Sequence, residues 1–244
     1  MASTLRQCFF LFAFLTMIQV CLGSSNPAEK VTLDLYYESL CPFSIKFIIT
    51  ELPLIFQNGI IDIVDLRLFP WGNAELSSHT SFTCQHGPHE CLLNTVEACA
   101  IDMWPDLEDH FLFIGCVESQ VFKGKYKEWG ACFKEFGLDP KHVTSCYKGE
   151  DGKKLELKYA NLTSALKPPH DFVPWVVVAG KPLFDDYENF ISYICKAYKG
   201  PLPSACKKAS FASIPRNKTK ASFASVSRKK TNHVLPASEP AVPF

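Results

Sequence analysis

Beyond its first two dozen residues the chain has no apolar run long enough to cross a bilayer, so the mature protein is expected to carry no integral membrane segment. Its globular part also lacks the basic excess of a nucleic-acid-binding domain. Setting aside Arg6 and the eight basic residues from Lys207 onward leaves 16 basic against 24 acidic residues in 24–206, a net charge of −8. The overall balance of 25 against 25 hides that asymmetry, because acidic residues are nearly missing from the C-terminal stretch, where Glu239 stands alone. A third scarcity is local. After Cys41 no cysteine follows until Cys84, and Ser44 occupies the position three residues on, so no second thiol stands beside the first in the sequence.

What is present is 244 residues with 47% apolar content, enough for one sizeable core with appendages. Residues 1–23 read as a signal peptide: Arg6 gives a positive start, Phe9 to Val20 an apolar stretch too short for a comfortable span, and Cys21-Leu22-Gly23 the small residues of a cleavage site. The mature chain is then expected to begin near Ser24 in an oxidising compartment. Of eleven cysteines, nine remain after Cys8 and Cys21 depart. Nine is odd, and in a secreted chain the leftover thiol is reactive or pairs between molecules. Cys84, Cys91, Cys99, Cys116, Cys132, Cys146, Cys195 and Cys206 can form four disulfides in about a hundred connectivities, which stay open. Cys195 and Cys206 are near enough in sequence to be clipped together. By position, the odd one is Cys41.

Val31 to Tyr37 reads as a strand, Ile45 to Phe56 as a helix kinked at Pro53, and Ile60 to Phe69 as a second strand, giving a βαβ unit with parallel strands. Residues 71–165 read as a cysteine-rich helical insertion, with Asn94 to Phe113 as an example of the helical pattern. Sheet character returns at Val173 to Val178, Gly180-Lys181-Pro182 turns the chain, and Tyr187 to Tyr198 closes it as an amphipathic helix. From 207 to 244 the sequence is basic and repetitive, with Lys208 to Ser213 recurring as Lys220 to Ser225, and reads as a disordered tail open to proteolysis. The whole is an α/β chain with a thioredoxin-like fold over 24–206 and a disulfide-rich helical insertion.

Chemistry gathers at Cys41-Pro42-Phe43-Ser44, where strand meets helix. Pro42 suits the first helical position, and the helix end favours a thiolate at Cys41. Val173-Pro174 is a candidate cis-peptide, and in a thioredoxin-like fold such a loop is expected to face the cysteine and present backbone to an extended substrate. A serine hydroxyl is too weak an acid to attack sulfur, so Ser44 cannot release a mixed disulfide. It can donate a hydrogen bond to the thiolate. Turnover then needs an external thiol such as glutathione or free cysteine, and no resident cofactor. A cysteine of ordinary pKa about 8.5 is only roughly one part in three thousand thiolate near pH 5, so activity in an acidic lumen requires a lowered value. The run from Cys84 to Cys99 offers cysteines and histidines that could hold zinc, but a disulfide-fixed loop entering a helix is the preferred reading, with no metal. Asn161 and Asn217 head glycosylation sequons, whereas Asn26 is excluded by Pro27.

The run Cys84-Gln85-His86-Gly87-Pro88-His89-Glu90-Cys91, followed by Asn94 and Cys99, resembles the signature CQHG-x-x-EC-x-x-N-x-x-x-x-C of the gamma-interferon-inducible lysosomal thiol reductase family at every fixed position. With YYESLCPFS and VPWVVVAG the resemblance covers roughly residues 30–206. It implies a thioredoxin-like fold, a lysosomal, vacuolar or secreted location, and reduction of disulfides in protein substrates. Cys41 matches the attacking cysteine, and Ser44 occupies the place of the resolving one. The expected function is thiol–disulfide exchange through a single cysteine. The alternative is a redox-silent, disulfide-stapled binding module on the same scaffold.

Overall fold

The computed structural model describes residues 28–78 and 81–209; the expected signal peptide, most of the basic tail and Asn217 lie outside them. Strand β1 (Val31–Tyr37) is centred in a four-stranded sheet and is buried along nearly its whole length on both faces. It pairs in parallel with β2 (Val64–Pro70), Val31 opposite Val64 and Leu35 opposite Leu68. On its other side it pairs antiparallel with β5 (Trp175–Val178), which continues into β6 (Lys181–Pro182). The sheet order is β2-β1-β5-β6.

Between β1 and β2 the chain forms α1 (Pro42–Lys46), a π-helical turn (Phe47–Glu51) and α2 (Pro53–Gln57). The kink expected at Pro53 takes this widened form. Proline has no N–H to donate within the helix, so the ladder shifts by one residue, and the Leu52 N–H reaches the Phe47 carbonyl at 3.0 Å. Phe47, Ile48, Leu52 and Ile55 all face inward, against Leu33, Leu35 and Tyr37 of β1 and against Phe190 and Ile194. Each such side chain contributes about 1.5–3 kcal/mol when fully buried.

The second strand begins later than its hydrophobic run suggests. Gly59 adopts a left-handed φ of 69°, and Ile60–Ile63 makes a 3₁₀ turn that buries Ile60 and Ile63 together, three residues apart. Strict alternation starts only at Val64, with Asp65 and Arg67 outward.

Between β2 and β5 lie a short hairpin, β3 (Glu75–Ser78) with β4 (Ser81–Thr83), and helices α3 (Pro88–Met103), α4 (Leu107–Phe122), α5 (Ala131–Phe136), α6 (Pro140–Lys148) and α7 (Glu150–Ser164). The hairpin is an addition to the mostly helical pattern expected there. The helical run from Asn94 to Phe113 spans two helices, because Pro105 cannot continue α3 and Asp106 caps α4 by accepting the Glu108 N–H at 2.9 Å. Cys99–Cys146 joins α3 to α6, and Cys116–Cys132 joins α4 to α5. A loop the size of the latter is worth about 3 kcal/mol through the entropy it removes from the unfolded chain. This helical layer has its own core around Leu93, Val96, Phe113, Val117 and Val143.

The closing helix α8 (Phe190–Ala197) starts three residues later than expected, since Phe184–Asn189 is a 3₁₀ turn. Cys195–Cys206 pins it to α9 (Ser204–Ala209), so helix continues past 206 into the start of the basic stretch. Among the described residues no helix is long and apolar enough to cross a membrane.

Candidate active site

Tyr36 at the end of β1 lies opposite Trp175 at the start of β5. That register brings the turn after β1 and the loop before β5 to one end of the sheet. Cys41 is the N-cap of α1, with extended backbone (φ −72°, ψ 121°) and Pro42 following as the first helical residue. Its Sγ lies 3.8 Å from the Val173 carbonyl oxygen, and the Val173-Pro174 peptide is cis. Cys41 is the free cysteine among the described residues, and its side chain is buried.

Ser44 is fully buried one turn along α1, and its Oγ has no hydrogen-bond partner. The hydrogen bond expected from Ser44 to Cys41 is therefore not made in this structure, where the sulfur is directed toward Val173 instead. Phe43, two residues after Cys41, is 65% exposed and stands outside the core.

The turn Glu38-Ser39-Leu40-Cys41 is held from three sides. Within it, the Cys41 N–H donates to the Glu38 carbonyl at 3.3 Å. From α3, Asn94 Oδ1 accepts both the Ser39 N–H (2.9 Å) and the Ser39 hydroxyl (2.8 Å). From the loop after β2, the Asn73 N–H donates to Glu38 Oε2 at 2.8 Å, and the Trp71 N–H donates to the Tyr37 carbonyl at 2.9 Å. The motif Cys84 to Cys99 thus packs directly behind the cysteine-bearing turn. The Cys84–Cys91 disulfide closes the loop, the His86 N–H donates to Glu90 Oε1 at 3.2 Å, and the His86 ring bonds Glu90 Oε2 at 2.5 Å.

Glu38 Oε1 lies 3.5 Å from the same histidine nitrogen. Burial pushes the Glu38 carboxyl up to about 7, the nearby Glu90 adding to the rise while the Asn73 amide and His86 oppose it. Glu38, His86 and Glu90 bring one potential metal ligand each within 4.8 Å of one another. The ring nitrogen of that trio is engaged with Glu90, and the cysteine–histidine arrangement considered for zinc is not formed, because Cys84 and Cys91 are bonded together.

Beneath the turn lie carboxyls that sequence reasoning passed over. The Tyr37 hydroxyl donates to Glu97 Oε2 at 2.7 Å, and burial raises Glu97 to about 8. Glu118, fully buried beside Glu97, is pushed well above its ordinary value by burial, then by Glu97, with Cys41 contributing. Glu156 is likewise raised by burial and then by Glu97. A signal for part of this exists: Glu90, Asn94 and Glu97 recur at four and three residues and so share one face of α3. Of the glycosylation candidates, Asn161 is exposed on α7, and Asn217 lies outside the described residues.

Residues 32–136 match the family described as gamma interferon inducible lysosomal thiol reductase. A gamma-interferon-responsive lysosomal thiol protein of Arabidopsis thaliana is 46% identical over 200 residues, 80% of this chain and 83% of that protein. The gamma-interferon-inducible lysosomal thiol reductase of Mus musculus is 39% identical over 198 residues, 78% of this chain and 76% of its own length. Among solved structures, reduced DsbA from Mycobacterium tuberculosis superposes with a TM-score of 0.53 at 22% identity, covering 77% of this chain and 92% of that one. The last likeness shows the fold, a thioredoxin-like one.

Proposed function

The chain belongs to the gamma-interferon-inducible lysosomal thiol reductase family, and on that premise we propose that it is a thiol–disulfide oxidoreductase acting on protein disulfides through Cys41 alone. The observation that carries this reading is a free cysteine at a helix N-cap, 3.8 Å from the carbonyl of the loop that would align an extended substrate.

The Cys41 thiolate attacks one sulfur of a substrate disulfide. A Cys41–substrate bond forms, and the displaced substrate sulfur leaves as a thiolate and takes a proton. Ser44 cannot perform the second attack. A small thiol such as glutathione attacks the Cys41 sulfur instead and frees the second substrate thiol. Another small thiol then attacks this new mixed disulfide, restoring Cys41 and leaving as a small disulfide. One substrate disulfide is reduced as two small thiols are oxidised. The unpartnered Ser44 hydroxyl is available to turn toward the sulfur when it carries charge. The setting proposed is the secretory pathway, ending in an acidic compartment or outside the cell.

Insulin reduction with glutathione present tests this. Cys41→Ala is expected to reduce the rate to that of glutathione alone, and an unchanged rate would refute the mechanism. A redox-silent binding module is the second reading, favoured by Ser44 together with a Cys41 side chain only 6% exposed. It predicts that Cys41 forms no adduct with a disulfide substrate.

A further inference from the structure

We infer that Asn94 is a positioning residue for Cys41, and that the run Cys84 to Cys99 serves the active site by fixing the turn that carries the nucleophile. The inference deepens the reading above, since it concerns the same sulfur, but its geometric half stands without it.

Asn94 Oδ1 takes both hydrogens that Ser39 can offer, one from the backbone and one from the hydroxyl. Ser39 is fully buried, as is Asn94, so neither group has water as an alternative partner. The Ser39 hydroxyl also lies 3.3 Å from the Glu90 carbonyl, which ties the turn to the first turn of α3. The Asn94 side chain spends its bonding on this one turn, for its Nδ2 has no partner. Two residues after Ser39 comes Cys41, whose N–H closes the turn on Glu38.

The position of α3 is itself set. Cys99–Cys146 anchors it to α6, Cys84–Cys91 closes the loop at its start, and Leu93 and Val96 are packed on both sides of Asn94 in the helical core. Asn94 therefore transmits a fixed helix position to the middle of the turn, at Ser39, while the loop after β2 holds its start at Glu38. Sulfur–sulfur displacement needs the attacking atom on line with the bond it breaks, and misplacement by about 1 Å costs on the order of a hundredfold.

Three variants of the full mature chain test this. Asn94→Ala leaves the Ser39 N–H without its acceptor and the Ser39 hydroxyl with the longer bond to the Glu90 carbonyl alone. Asn94→Asp keeps the acceptor oxygen and exchanges the unpartnered amine for a second carboxyl oxygen, so it is assayed near pH 5, where a buried carboxyl keeps its proton. Val143→Ala removes a buried side chain of the same helical core on α6, a helix that makes none of the hydrogen bonds to the turn. Two quantities are measured well below each unfolding midpoint: the rate at which Cys41 forms a mixed disulfide with a disulfide-bonded peptide, and amide hydrogen exchange of residues 39–41. Asn94→Ala is expected to slow adduct formation about tenfold to a hundredfold and to expose the 39–41 amides. Asn94→Asp is expected to restore both to within about threefold. Val143→Ala is expected to lower the unfolding midpoint while leaving both near wild type. Wild-type values in Asn94→Ala, or equal losses in Val143→Ala, would overturn the inference. Should the wild-type protein form no adduct, the proposed function fails, and amide exchange alone still decides whether Asn94 holds the turn.

Discussion

Ser44 buries a hydroxyl that bonds to nothing, which costs on the order of 1–3 kcal/mol against an apolar group of similar size. Ser44→Ala is therefore expected to leave stability unchanged or raise it by up to about 1 kcal/mol in urea unfolding, while slowing exchange at Cys41 if the hydroxyl serves the charged sulfur. A stable variant with undiminished exchange would remove Ser44 from the chemistry. The complementary change, Ser44→Cys, puts a second sulfur one turn from the first. It is expected to yield substrate reduction with a single equivalent of enzyme and no glutathione, assayed by release of substrate thiols. No release would mean that the site lacks more than a resolving thiol. At this scale the sequence was readable wherever the signal is local. The odd cysteine, the missing second one and Val173-Pro174 each lie within a few neighbouring residues. Asn94 and Ser39 were not readable as a pair, since 55 residues separate them and a helix asparagine gives no hint of what it faces.

At the scale of elements, two glycines separate conformational strain from contact. Gly59 has φ 69°, and a methyl group added there would meet nothing within 4 Å. At Gly72, with φ 58°, a Cβ would lie 2.5 Å from Glu38 Oε2 and 2.7 Å from Glu38 Cβ. Gly59→Ala is expected to cost about 1 kcal/mol from backbone strain alone. Gly72→Ala carries the same strain plus overpacking against the active-site turn, about 3 kcal/mol in all. Urea midpoints of the two variants, measured side by side, check the difference; equal losses would mean that the loop after β2 does not brace Glu38. The order of the sheet strands and of the helices flanking them was visible in hydrophobic periodicity, but their ends and the β3–β4 hairpin were not. Ile60 and Ile63 sit in a 3₁₀ turn because spacing of three buries both, and apolar residues in a row look the same in a strand. Trp104-Pro105-Asp106 divides one periodic run into α3 and α4, where the proline and the capping aspartate are the marks to read.

For the whole molecule, the buried carboxyls set a pH dependence. Glu38, Glu97, Glu118 and Glu156 all hold their protons more tightly in the folded chain than an ordinary glutamate does, chiefly through burial. A carboxyl raised in the folded state stabilises fully below its unfolded value of about 4.5, and that contribution is lost as the pH climbs through the folded value. For Glu38 the loss is complete above about 7, and for Glu97 above about 8. The protein is expected to be more stable near pH 5 than near pH 8, in keeping with the proposed acidic setting. Urea midpoints should fall across that range, and Glu118→Gln, which keeps the shape without the acid, should flatten the fall. A midpoint that rises with pH would contradict the burial of these groups as neutral acids.

The central claim is that one sulfur, without an internal partner, carries the exchange. Its most direct measurement is a non-reducing peptide map after the mature protein meets a disulfide-bonded substrate at about pH 5 and is quenched with acid. The account predicts a mixed disulfide on the peptide containing Cys41, released by glutathione, with Cys84–Cys91, Cys99–Cys146, Cys116–Cys132 and Cys195–Cys206 intact. Cys41 recovered unreacted, or bridged to another cysteine of its own chain, would contradict it.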